Sequence, residues 1–110
     1  MNIDQKHKFA LTNWDDFPEE IHQGTTGTAK WKILLLGDIR IRIVEYSSNY
    51  LADHWCDKGH IIYCIEGEMT TELRDGSKHI LKKGMTYQVG DNVDSHRSFS
   101  ELGARIFIVD

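Results

Sequence analysis

From residue 29 onward apolar and polar residues alternate in short runs with a period near two, and glycine-containing turns separate the runs. Side chains two apart share a face of a strand, so this pattern predicts half-buried strands in an antiparallel sheet. In 29–36, Trp31, Ile33 and Leu35 alternate with Lys30, Lys32 and Leu34, and Gly37-Asp38 supplies a two-residue turn into 39–46. Ile39, Ile41 and Ile43 share one face of that second arm and Arg40 and Arg42 the other. The isoleucine face is expected to be buried and the arginine face to meet water. Further runs cover 51–56, 60–65, 68–74, 77–81, 85–89, 95–100 and 104–109, with the strongest hairpin signal at Asp75-Gly76, where both residues tolerate positive φ.

About eight short strands of this kind protect their edges by closing into a barrel or by folding into a two-sheet jelly roll. Residues 1–28 read as an irregular segment packing on a barrel domain of 29–110, with Asn13-Trp14-Asp15-Asp16 giving one short helical turn. Internal repeats and low-complexity tracts are absent.

A chain of 110 residues, 40% apolar and 10% aromatic, fits one domain that can bury its core without cross-links. The formal charge of -4, with no basic run longer than Lys82-Lys83, argues against a nucleic-acid partner, whose phosphates demand clustered cations. The N-terminus lacks the apolar core of a signal peptide, and the longest fully apolar run, 33–36, is too short to span a bilayer. No membrane association and a cytoplasmic location are therefore expected. In that compartment Cys56 and Cys64 are expected as thiols, although a disulfide between them is possible in principle.

The chemistry is concentrated in His54-Trp55-Cys56-Asp57-Lys58-Gly59-His60. On a strand His54 and Cys56 point to one face and can converge on one metal ion. A turn at Gly59 can return His60 on the adjoining strand, and His96, at the start of a strand of its own, can complete the set from across a barrel. Ser98 shares the parity of His96 and is a candidate for the pocket wall, whereas Arg97, Trp55 and Tyr63 have the opposite parity. Glu45 falls on the isoleucine face, where it either accepts an imidazole N–H or joins a buried ion pair. Tyr87 either offers a phenol to a ligand or fills core. Cys64 reads as a small core hydrophobe, though its place in the pocket is also possible, and His7, His22 and His79 read as surface or loop histidines.

From about residue 37 to the end the chain resembles a small cupin. The first cupin motif, G-x5-H-x-H-x3-4-E-x6-G, takes His54 as its first His, Cys56 as its second, His60 at its Glu and Gly67 at its closing Gly. The spacing is kept while two ligand types change. In the second motif, G-x5-P-x-G-x2-H-x3-N, Gly84 fits the opening Gly, Gly90 stands at the Pro, His96 arrives one residue late and Ser100 replaces the Asn. More closely, Asp53-His54-Trp55-Cys56, Ile65-Glu66-Gly67-Glu68, His96-Arg97-Ser98 and the final run from Gly103 resemble the bacterial DHCW-motif cupin fold proteins. The resemblance implies an all-β jelly-roll barrel, or double-stranded β-helix, with its ligands pointing inward and assembly as a homodimer; it brings no substrate.

One divalent transition metal ion is the expected cofactor. Imidazole and thiolate donors favour zinc or iron, with nickel and copper also compatible, over manganese and magnesium. Four ligands, His54, Cys56, His60 and His96, would close a structural shell, whereas three histidines with the thiol standing off would leave an open, catalytic position. Three readings follow: a metal-dependent oxygenase or isomerase of a small molecule, a non-catalytic small-molecule or metal-sensing module, and a metal-free structural barrel.

Overall fold

A computed structural model describes residues 1–110. Its nine strands are β1 (Glu20–Gln23), β2 (Thr28–Leu36), β3 (Ile39–Tyr46), β4 (Tyr50–Leu51), β5 (His60–Leu73), β6 (Lys78–Lys82), β7 (Thr86–Val89), β8 (His96–Ser100) and β9 (Ala104–Val109). Every pairing is antiparallel. One sheet runs β1-β2-β3-β9-β5-β7 and the other β4-β8-β5-β6, so the long strand β5 belongs to both. The result is a jelly roll curled around a single apolar core. No helix is long and apolar enough to cross a membrane.

The expected break at Glu66-Gly67 proves to be the corner where β5 changes sheets. Its first half pairs with β7 and β9, its register with β9 slips between Cys64 and Glu66, and its second half pairs with β6 and β8. A bulge bends a strand without ending it, so one strand replaces the two expected. Even-numbered residues on β9 and on the first half of β5, among them Ile62, Cys64, Ile106 and Ile108, point inward and are almost completely buried, and past the bulge the inward parity passes to Met69 and Thr71. Met69 and Leu81 close the core from the second half of β5 and from β6.

Two expectations are corrected. Residues 20–23 are not irregular but form β1 on the free edge of β2, where the His22 ring stacks on Trp31 at 3.9 Å. The short turn at Trp14–Asp16 does form, capped by Asn13, and its Trp14 carbonyl accepts a hydrogen bond from Lys32 Nζ at 3.0 Å. The faces of β3 are also reversed. Arg42, only 6% exposed, and the inner part of Arg40 turn into the barrel, while Ile39 and Ile41 are half-buried on the outer face; Ile43 of that same face is buried, as expected. The inward arginines have partners that sequence spacing does not reveal: the Trp31 ring, 4.4 Å from the Arg42 guanidinium, and the carboxylate of Asp110.

Gly67 and Gly76 both adopt positive φ, +72° and +89°. A side chain in that region costs about 1–3 kcal/mol. At Gly67 a Cβ would also run into the carbonyl oxygen of Gly103, whereas at Gly76 it would meet open space. Gly67→Ala is therefore expected to destabilise the fold clearly more than Gly76→Ala, as measured by the midpoints of urea denaturation.

Candidate metal centre

The segment leading into the site runs antiparallel to β8. Tyr50 and Leu51 lie opposite Ser100 and Phe99, the Ala52 N–H donates to the Ser98 carbonyl, and Cys56 then pairs with His96 through two backbone hydrogen bonds of 2.7 and 3.0 Å. From Ala52 to Cys56 the chain takes more steps than β8 takes from Ser98 to His96, so residues are extruded between the two bridges. The extruded bend contains His54. Its side chain is 71% exposed and its Nδ1 lies 2.6 Å from Asp53 Oδ1. The sequence parity that aligned His54 with Cys56 assumes a continuous strand, and the bend breaks it.

Three of the four expected ligands come together. Cys56 Sγ and the ring nitrogens of His60 and His96 lie within 4.8 Å of one another. His54 only reaches the lining of the same cavity, about 120 Å³, along with Ser98, Arg42 and Tyr46.

The protonation pattern of the two imidazoles is set by what surrounds them. His96 Nδ1 lies 2.8 Å from the Asp94 carbonyl, which can only accept, so Nδ1 carries a proton and, in the neutral ring, Nε2 a lone pair. His60 Nδ1 faces Asp110 Oδ2 at 3.4 Å. Burial would push the Asp110 carboxyl up, but a hydrogen bond from Arg40 and the charges of Arg42 and Arg40 outweigh it and carry the group down to about 2. An ionised carboxylate also only accepts, so His60 Nε2 is likewise a lone pair. Burial first, and His96 second, hold the His60 imidazole down at about 4 against the raising effect of Asp110, so the ring is neutral at neutral pH. The two Nε2 atoms face each other at 2.7 Å. The His60 lone pair at that distance needs a positive partner, which either a proton on His96 Nε2 or a metal ion shared by both rings supplies.

This donor set suits a metal ion. Two nitrogens bound to one zinc at about 2.05 Å sit roughly 3.3 Å apart, a separation reached by a small parting of the rings. The Asp94 carbonyl and the Asp110 carboxylate hold the Nδ1 positions, the usual way in which ligating imidazoles are oriented. Asp110 is itself fixed by Arg40 Nε and Arg42 at 2.9 Å each and by a two-way backbone pair with Arg40.

No protein-family model matches the chain, and no curated protein matches it in sequence. Solved structures do match it in shape. An RmlC-like cupin from Shewanella frigidimarina superposes with a TM-score of 0.76 at 14% identity, covering 93% of this chain and 89% of that one. A predicted oxalate decarboxylase from Thermotoga maritima gives 0.76 at 14% identity, with 91% and 96% covered. An ectoine synthase from P. lautus gives 0.73 at 18% identity, with 92% and 76% covered. The fold is that of a small, single-domain cupin.

In this cupin barrel the residues at the second His and the Glu of the first motif, Cys56 and His60, meet His96 from the second, while the residue at the first His, His54, stands outside. The remaining pocket candidates divide. Ser98 lines the cavity, and the Tyr87 ring lies edge-on to His60 and His96 at 6.2 and 6.3 Å. Glu45 is exposed on the outer face, in register with Lys30 and Arg105, because the isoleucine face to which it belongs points outward. Cys64 is a fully buried core thiol whose Sγ lies 3.4 Å from the carbonyls of Glu66 and Gly67. Both cysteines are free, with no disulfide between them. Arg40, Arg42 and Asp110 were missed as site residues. The signal for Asp110 was its parity with Ile106 and Ile108, which aims its carboxylate inward.

Asp110→Asn keeps the shape of the side chain but leaves Arg42 buried against a neutral amide. Breaking a buried pair in this way is expected to cost about 3 kcal/mol of folding stability, read from chemical denaturation at neutral pH.

Proposed function

We propose that the protein is a metal-dependent enzyme acting on a small molecule, with its ion held by Cys56, His60 and His96. The observation that carries this reading is the pair of facing Nε2 atoms, 2.7 Å apart, whose Nδ1 partners each have a hydrogen-bond acceptor. Thiolate and imidazole together favour zinc or iron. Three protein ligands are the number that catalytic sites use, leaving room for a substrate oxygen. When bound, the ion would supply Lewis acidity toward a carbonyl or water, or, as iron, the capacity to engage oxygen, which suits isomerase or oxygenase chemistry.

The chain's own residues do the positioning. Asp110 and the Asp94 carbonyl keep both imidazoles in the tautomer that presents Nε2 inward. Arg40 and Arg42 keep the Asp110 carboxylate ionised and immobile, so it serves to orient His60 and not to exchange protons with a substrate. Burial pushes the Tyr87 phenol up, so at neutral pH it is a hydrogen-bond donor beside the centre. The same reading takes the protein as a cytoplasmic homodimer. Ile61 and Tyr63, 50% and 43% exposed on the outer face of the larger sheet, support such an association.

Metal analysis of protein reconstituted with zinc or iron(II) and then dialysed tests the centre. The wild type is expected to retain about one ion per chain, and His54→Ala to retain as much. Cys56→Ser and His96→Ala are expected to lose it. A wild type that holds no ion after reconstitution, or a His96→Ala variant with full content, would refute the site. Asp110→Asn, acting through His60, is expected to weaken metal affinity by about 10–100-fold, measured by competition with a chromogenic chelator.

A further inference from the structure

A second cavity, about 720 Å³, opens between the free edges of β6 and β7 and shares only His96 with the lining of the first. Its size falls in the range of small-molecule sites. Leu73, Leu81, Met85 and Val89 give it an apolar wall, Gln88 and Asp94 are among its polar lining, and two hydroxyl-bearing side chains, Thr71 and Tyr87, also line it. Thr71 is only 5% exposed, and neither its Oγ1 nor the Tyr87 hydroxyl has a hydrogen-bond partner elsewhere in the protein. The two hydroxyls lie close enough to pair with each other, which lowers the Tyr87 phenol against the larger, raising effect of burial.

Buried polar groups are rarely left without partners, and two hydroxyls that can bond only to each other still leave one O–H without an acceptor, which an oxygen atom from outside can supply. Lys78 and Lys82, which also line the cleft, blunt an open sheet edge. We propose that this cleft binds a small apolar molecule ending in a carbonyl or carboxylate oxygen that accepts a hydrogen bond from the hydroxyl pair of Tyr87 and Thr71, with its hydrocarbon part along Leu81 and Met85.

Of the three proposed ligands, His96 alone lines this cleft, so the inference goes beyond the metal reading and can fail separately from it. Hexanoate, 2-hexanone and toluene are titrated into zinc-free and zinc-loaded protein, followed by amide and methyl NMR shifts. Saturable shifts at Leu81, Met85 and Tyr87 are expected with hexanoate or 2-hexanone in both forms, and toluene is expected to bind more weakly. Hexanoate alone would assign a carboxylate, both together a carbonyl. The near-isosteric variants Tyr87→Phe and Thr71→Val are each expected to weaken binding by about tenfold, the worth of one hydrogen bond to a charged or strongly polar acceptor. The proposal is overturned if neither oxygen-bearing probe shifts these residues, or if both variants bind as the wild type does. It is equally overturned if the same resonances move with protein concentration alone, which would make the cleft a contact between copies of the chain.

Discussion

Inside this barrel a carboxylate, two guanidinium groups and two imidazoles share a space that would otherwise be filled with aliphatic side chains, and the Asp110 carboxylate is what makes the arrangement tolerable. A lone buried charge is expelled or neutralised. Here Asp110 receives Arg40 on one side and Arg42 on the other, and its remaining oxygen capacity faces His60 Nδ1. Once that carboxylate is ionised, His60 has no freedom of tautomer. Its Nε2 must point as a lone pair toward His96, whose own tautomer is dictated by the Asp94 carbonyl. The centre is thus set by charge outside the ligands as much as by the ligands themselves.

The cluster reaches further than the cavity. Arg42 lies over the Trp31 ring, and Trp31 is covered on its other side by His22 of β1. A short edge strand near the N-terminus is thereby linked through one stack to the orientation of a ligand. On the opposite side Trp55 is flanked by the guanidinium groups of Arg74 and Arg97, 4.1 and 4.8 Å from its ring. Those contacts hold the bend before Cys56 against β5 and β8, while the two backbone bonds to His96 hold Cys56 itself.

What the sequence made legible and what it hid follow from range. Period-two alternation and glycine turns are local signals, and they located nearly every strand, the Asp75-Gly76 hairpin and the inward parity of His96 and Ser98. The ligand step from Cys56 to His60 is equally local and appears as spacing. Two features depend on partners far along the chain. Arg40 and Arg42 look like a solvent face until Asp110, at the other end of the sequence, is laid beside them, and with that face reversed Glu45 follows outward. His54 shares parity with Cys56 only while the strand is straight, and the extra residues before the Cys56–His96 bridge are visible only when the register against β8 is known.

With an ion bound, His60 and His96 both present unprotonated Nε2 atoms to it. Nitrogen-15 NMR of histidine-labelled protein measures this directly, before and after one equivalent of zinc. The expected result is an Nδ1–H on both His60 and His96 in both states, with the Nε2 resonances of both rings displaced together when zinc is added. An Nε2–H tautomer on either ring that persists after zinc is added, with no displacement of the other, would contradict it.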